Sequence, residues 1–157
     1  MPLHPLIVHF PIALLIVGAL IEFVNVFMKK DFLNKAGTML IVIGVLSGIV
    51  TLLSGEGAEE FAFDHWGNGV HDTVELHSFL AYLSVILFGL VAAIKILWRH
   101  DFFNFKILKH SFFSKRLVTT LIVILCIFGV TSLAITGHLG GKIVYENQII
   151  SSESNQN

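Results

Sequence analysis

"LIVHFPIALLIVGALIEFVNVFM", residues 6–28, decides the fold: 23 residues with a single acid, Glu22, and no Lys or Arg. About 20 apolar residues in an α-helix cross a hydrocarbon core about 30 Å thick. Three further runs repeat the pattern: "AGTMLIVIGVLSGIVTLL" (36–53), "LHSFLAYLSVILFGLVAAI" (76–94) and "LVTTLIVILCIFGVTSLAI" (117–135), none with an Asp, Glu, Lys or Arg. No run shows the period-2 alternation of a barrel strand. The prediction is an all-α, integral membrane four-helix up-down bundle.

The pieces between the runs are no longer than 22 residues, below the roughly 40 that fold independently in water. Residues 1–150 therefore form one transmembrane domain. The tail "SSESNQN" (151–157) has no apolar residue and is expected to be disordered. Across the 157 residues, 55% are hydrophobic and 13% charged, against roughly 25% charged in soluble domains. That deficit excludes an ordinary soluble enzyme. No Ser, Cys or carboxylate constellation sits where water and substrate both reach, so a hydrolase is not expected either. The first run lacks both a preceding Lys or Arg and a small-residue cleavage site, and reads as a retained span. Cys126, the sole cysteine, lies mid-span as a small apolar residue.

Charge sets the orientation. Nine of ten Lys and Arg (Lys29, Lys30, Lys35, Lys95, Arg99, Lys106, Lys109, Lys115 and Arg116) flank two loops on one side, and only Lys142 lies on the other. Basic loops stay in the cytoplasm, so the expectation is a membrane protein with both termini outside. Eight of eleven acids fall on that outer side. The stretch "WRHDFFNFKILKHSFFSKR" (98–116) interleaves Phe with basic residues and suits a helix lying in the anionic lipid interface. Lipid is thus the expected partner, and nucleic acid is not.

The same topology puts six of the eight histidines toward the outer side: His4, His9, His65, His71, His77 and His138. His100 and His110 sit in the basic inner loop, where nothing constrains them. His9, His77 and His138 come to a similar depth on three helices, and an ionisable group inside a span marks a functional site because hydrocarbon offers it no partner. In an up-down bundle the first and third spans face each other diagonally, so His9 and His77 are expected to oppose each other. The diagonal of helices 8–10 Å apart leaves room for two imidazoles and a metal in a flat macrocycle. That is a bis-His haem b site.

Gly44, Gly48, Thr51 and Gly55 form one small-residue stripe on the second span, open either to a macrocycle or to close helix packing. Pro11 cannot donate to the carbonyl of Ile7, so a local kink is expected around His9. His71 and Glu75, four apart, share a helix face about 120° from His77. His71 can then serve a second centre, oriented by Glu75 or Asp72. Glu22 is expected to pair with Lys95 or Asn25 toward the inner side.

The run "HPLIVHFPIALL", the histidines opening the third span, and "TGHLGGKIVYEN" after the fourth resemble the bacterial membrane family catalogued as domain of unknown function 2231. The resemblance covers nearly the whole chain and singles out His4, Pro5, His9, Pro11, His71 or His77, Gly137, His138, Gly140, Gly141 and Tyr145. After the Tyr this chain departs from the usual Gly and Val, reading "YENQIISSES". The family is similar to small two-haem cytochrome b bundles in helix count and His placement, and some relatives look joined to cytochrome c modules. The resemblance implies a bacterial inner membrane protein, its histidine-rich side periplasmic, that transfers electrons with one or two haem b groups between a quinol or periplasmic donor and a partner such as a c-type cytochrome. On that reading His9 and His77 are axial ligands, while His4, His71 and His138 hold a second haem or support the first.

Two other readings stay open. His4, His65, His71, His138 and nearby carboxylates form a periplasm-facing copper or zinc site, since imidazole suits both ions. Alternatively, the chain is a cofactor-free structural subunit of an oligomer or larger complex, with Gly44 and Gly48 at its interface.

Overall fold

The computed structural model describes residues 4–99 and 115–154. All its regular structure is helical among the described residues: α1 (His4–Ile7), α2 (His9–Met28), α3 (Asp31–Leu53), α4 (Gly55–Trp66), a 3₁₀ turn (Gly67–Val70), α5 (His71–Arg99) and α6 (Lys115–Ser154). Four helical stretches are long and apolar enough to cross a membrane: His4–Met28, Asp31–Asp64, His71–Leu97 and Arg116–Tyr145. They match the four runs in number and place, and each overshoots its run. At 1.5 Å per residue, the 40 residues of α6 reach about 60 Å, twice the hydrocarbon thickness.

The helices pair α2 with α3 and α5 with α6, α3 also packs on α5, and the α2–α6 seam is the looser one. As expected, the first and third spans lie across the bundle. Glycines allow the tight seams. Gly44 presses on Leu15, Gly18 on Ile41 and Gly129 on the fully buried Phe88, each so closely that an added Cβ would stand under 3.0 Å from the side chain it faces. Leu15, Ala19, Ile41, Phe88, Val91, Ala92, Cys126 and Leu133 form the resulting core. Leu20, Phe27, Phe79 and Phe128, by contrast, stay exposed on the rim, which hydrocarbon solvates at no cost.

The first span divides at the single residue Val8, between α1 and α2, but Val8 keeps helical dihedrals (φ −60°, ψ −29°) and the helical hydrogen bonds from Val8 to His4 and from Ile12 to Val8 are made. The turn after α2 is closed by Lys29 in the left-handed region (φ 51°), whose N–H reaches the Asn25 carbonyl, while the Asn25 side chain accepts from the Lys30 N–H at 2.9 Å. Asn25 is therefore a helix stop and not the partner of Glu22.

Beyond the core, α4, the 3₁₀ turn, the start of α5 and the end of α6 gather Ala62, Val70, Val74 and Ile143, with Phe63 and Trp66, into a second, smaller apolar cluster. Composition gave no hint of an ordered helix here. Helix α6 also continues through residues 151–154, part of the tail for which disorder was expected. The stretch around His100 and His110, and residues 155–157, lie outside the described residues.

Candidate functional site

The four spans carry two polar clusters, one at each end: a half-buried one with the histidines and a buried one around Glu22. At the histidine end, the ring standing against His77 is that of His4. Their centroids are 6.4 Å apart and their planes cross at 74°. His9 lies on an exposed face of α2. Five steps along the helix lead from His4 to His9, about 500° or a net 140° turn, so the two face different ways. The overshoot explains the choice: because the first span begins at His4 and the third at His71, the level of His77 is reached by the first turn of the chain.

Each ring has one nitrogen committed. Nδ1 of His77 lies 2.9 Å from the carbonyl oxygen of Thr136 on α6. A carbonyl only accepts, so Nδ1 carries the proton and Nε2 keeps its lone pair in the neutral ring. Nδ1 of His4 lies 3.0 Å from the hydroxyl of Ser54, at the junction of α3 and α4. That hydroxyl donates its only hydrogen to the Thr51 carbonyl at 2.7 Å. It must therefore accept from His4, which again leaves Nε2 bare. Oxygen partners on Nδ1 are what fix the tautomer of a ligating histidine.

Gly140 makes the His77 bond possible: a Cβ there would lie 3.1 Å from Cε1 and 3.5 Å from Nδ1 of the ring. At Gly55 a Cβ would stand 3.7 Å from Cε1 of His4, an ordinary contact that a side chain could make. Ser54, the Thr136 carbonyl and α4 escaped the sequence reading. A backbone acceptor leaves no mark in sequence, and Ser54 stands out only as the polar residue ending the second apolar run.

The other histidines stay apart. His71 is exposed, 3.9 Å from Glu75 and 4.0 Å from Asp72, with its ring stacked on Phe63 at 5.5 Å. The acids foreseen as its neighbours are indeed beside it, at the margin of an ion pair. His138 is exposed, as is Tyr145, and a Cβ on Gly137 or Gly141 would meet open space. The His65 side chain lies outside the described residues. Gly44 faces Leu15, and Gly48 faces Val85 and Pro11. Both therefore sit in helix seams, away from the imidazole pair.

At the opposite end Glu22 and Lys95, 7% and 6% exposed, form a buried ion pair at 2.5 Å. Lys95 also donates to Asn34 Oδ1 at 2.8 Å. Gly37 lies directly against the Glu22 carboxylate, where any Cβ would collide. Of the two partners expected for Glu22, Lys95 is the one present.

Helical spans, apolar rims and inward-facing polar clusters together define a multi-span membrane protein. The family described as "Predicted membrane protein (DUF2231)" matches residues 1–153. The chain belongs to that family. No curated protein and no solved structure matches it.

Proposed function

We propose that this protein is a membrane haem b carrier whose axial ligands are His4 and His77. The carrying observation is a pair of imidazoles on opposite spans, each anchored through Nδ1 and each with Nε2 free, at a centroid separation of 6.4 Å. A metal held between two imidazole nitrogens at about 2.0–2.1 Å each puts the ring centroids roughly 6 Å apart. A haem iron needs only two protein ligands. Structural zinc asks for four and catalytic zinc for three, and among the described residues no three His, Cys, Asp or Glu gather. The number of donors therefore favours haem over bare zinc.

Haem supplies a one-electron couple when bound. The chain's own residues do the rest. Thr136 and Ser54 hold the rings in the ligating tautomer, Gly140 lets α6 approach His77, and the cluster of Ala62, Val70, Val74 and Ile143 covers this end of the bundle. On the charge distribution this end faces the periplasm of the inner membrane, where a quinol or a c-type cytochrome is the exchange partner.

The test is an oxidised and dithionite-reduced absorption spectrum of protein purified from haem-replete cells, with a pyridine haemochrome assay. A sharp b-type α-band is expected, lost in His4→Ala and in His77→Ala and kept in His9→Ala. A colourless protein with stoichiometric copper would assign the same pair to copper. A colourless, metal-free protein would leave a structural subunit.

A further inference from the structure

Two of the histidines that take no part in the pair, His9 and His138, stand at the head of one groove. The looser seam between α2 and α6 opens as a cleft of about 280 Å³. Ile16, Leu20 and Phe23 line it on α2, and Thr131, Ile127 and Val123 on α6. The spans are antiparallel, so Ile16 and Thr131 mark the end nearer the histidines. Leu20, Phe23 and Ile127 are exposed, which leaves the cleft open along its side to hydrocarbon. Its wall is apolar: the Glu22 carboxylate turns away to Gly37 and Lys95, and the Thr131 hydroxyl donates to the Ile127 carbonyl at 2.9 Å. Such a wall suits an acyl chain.

The helical repeat sets what heads it. Seven residues are two turns, which return to within about 20° of the same face about 10 Å further along. Seven residues outward from Ile16 stands His9, and seven outward from Thr131 stands His138. Both are exposed, and neither ring has a partner among the described residues. Beside His138, α6 carries only small residues on the cleft side, Ala134, Gly137 and Gly141, and a Cβ on either glycine would meet open space. The cleft therefore continues toward the histidine end as an unfilled slot with an imidazole on each wall.

The charges at this rim have one sign. Each imidazole has a nitrogen that can donate. Lys142, one turn from His138, is exposed and is the only Lys or Arg at the histidine end of the spans. No Asp or Glu occurs between His4 and Ile21 or between Lys115 and Tyr145. Donors and a positive charge above an apolar, laterally open cleft match an anionic head carrying an acyl chain. We propose that the α2–α6 seam binds an anionic phospholipid, its phosphate held by His9, His138 and Lys142 and one acyl chain lying in the cleft. The two histidines then have the partner that hydrocarbon does not offer them. This site is separate from the pair of His4 and His77 and does not rest on the haem reading.

The experiment places the full chain in phosphatidylcholine nanodiscs with a trace of phosphatidylglycerol carrying a diazirine in one acyl chain, irradiates them, and maps the label by peptide mass spectrometry. Label is expected on residues 16–23 and 123–131, displaced by a small excess of unlabelled phosphatidylglycerol although phosphatidylcholine is the bulk lipid. The double variant His9→Ala and His138→Ala, both exposed positions, should weaken this labelling about tenfold or more. Gly137→Leu, which fills the slot and removes no polar group, should weaken it as well, with helical circular dichroism unchanged. Label absent from both segments overturns the proposal. So does displacement by phosphatidylglycerol only in proportion to its share of the bilayer, which would mark an ordinary surrounding lipid, or labelling unchanged in both variants.

Discussion

The two polar clusters solve the same problem by opposite means. At one end Glu22 and Lys95 satisfy each other, with Asn34 as third member. At the other, His4 and His77 take their hydrogen bonds from the surrounding helices, through Ser54 and the Thr136 carbonyl, and not from each other. An ion pair is only as good as its partner, because the survivor of a broken pair is a charge in low dielectric. A neutral imidazole anchored by one nitrogen keeps a lone pair to offer. The first arrangement suits holding helices together, and the second suits binding something.

The comparison breaks most visibly at Lys95. Lys95→Met should cost about 3–5 kcal/mol, while Glu22→Leu combined with Lys95→Met should recover most of the loss. Unfolding in detergent followed by circular dichroism would read both. A double variant as unstable as the single would show that the cluster is more than mutual neutralisation. Gly37→Ala comes next, since the new methyl collides with the Glu22 carboxylate; about 1–3 kcal/mol is expected. An unchanged midpoint would mean that α2 and α3 can separate freely there.

If His4 and His77 hold haem as proposed, Ser54→Ala at the histidine end should cost only about 1 kcal/mol of stability yet weaken haem affinity tenfold to a hundredfold, the usual effect of removing the group that orients a ligating histidine. Haem titration of the apoprotein measures the second and thermal unfolding the first. Equal effects on both would make the Ser54 to His4 bond merely structural. Smallest of all is His9→Ala, exposed on α2, which should move stability by no more than about 0.5 kcal/mol and leave the absorption spectrum unchanged. Loss of the spectrum in this variant would return His9 to the site and displace His4.

Much of this was legible in the chain. Apolar runs long enough to span a bilayer gave the four helices, since a buried backbone must satisfy its own hydrogen bonds and a helix does so locally. The lone acid Glu22 pointed to a partner toward the inner end, Lys95 or Asn25, because a span tolerates no unpaired charge. A cluster of histidines at one end was legible too, but not which of them meet.

Composition and periodicity thus determined span number, span order and the end of the bundle that carries the imidazoles, all of which follow from free energies of transfer to hydrocarbon. Tertiary structure alone decided that His4 and not His9 faces His77, that Gly44 and Gly48 serve helix seams, and that residues 55–70 fold into a cap. Those outcomes hang on how far each helix extends, since the five-residue step from His4 to His9 turns the side chain by a net 140°. They hang equally on backbone groups such as the Thr136 carbonyl, which every residue possesses and no sequence pattern can single out.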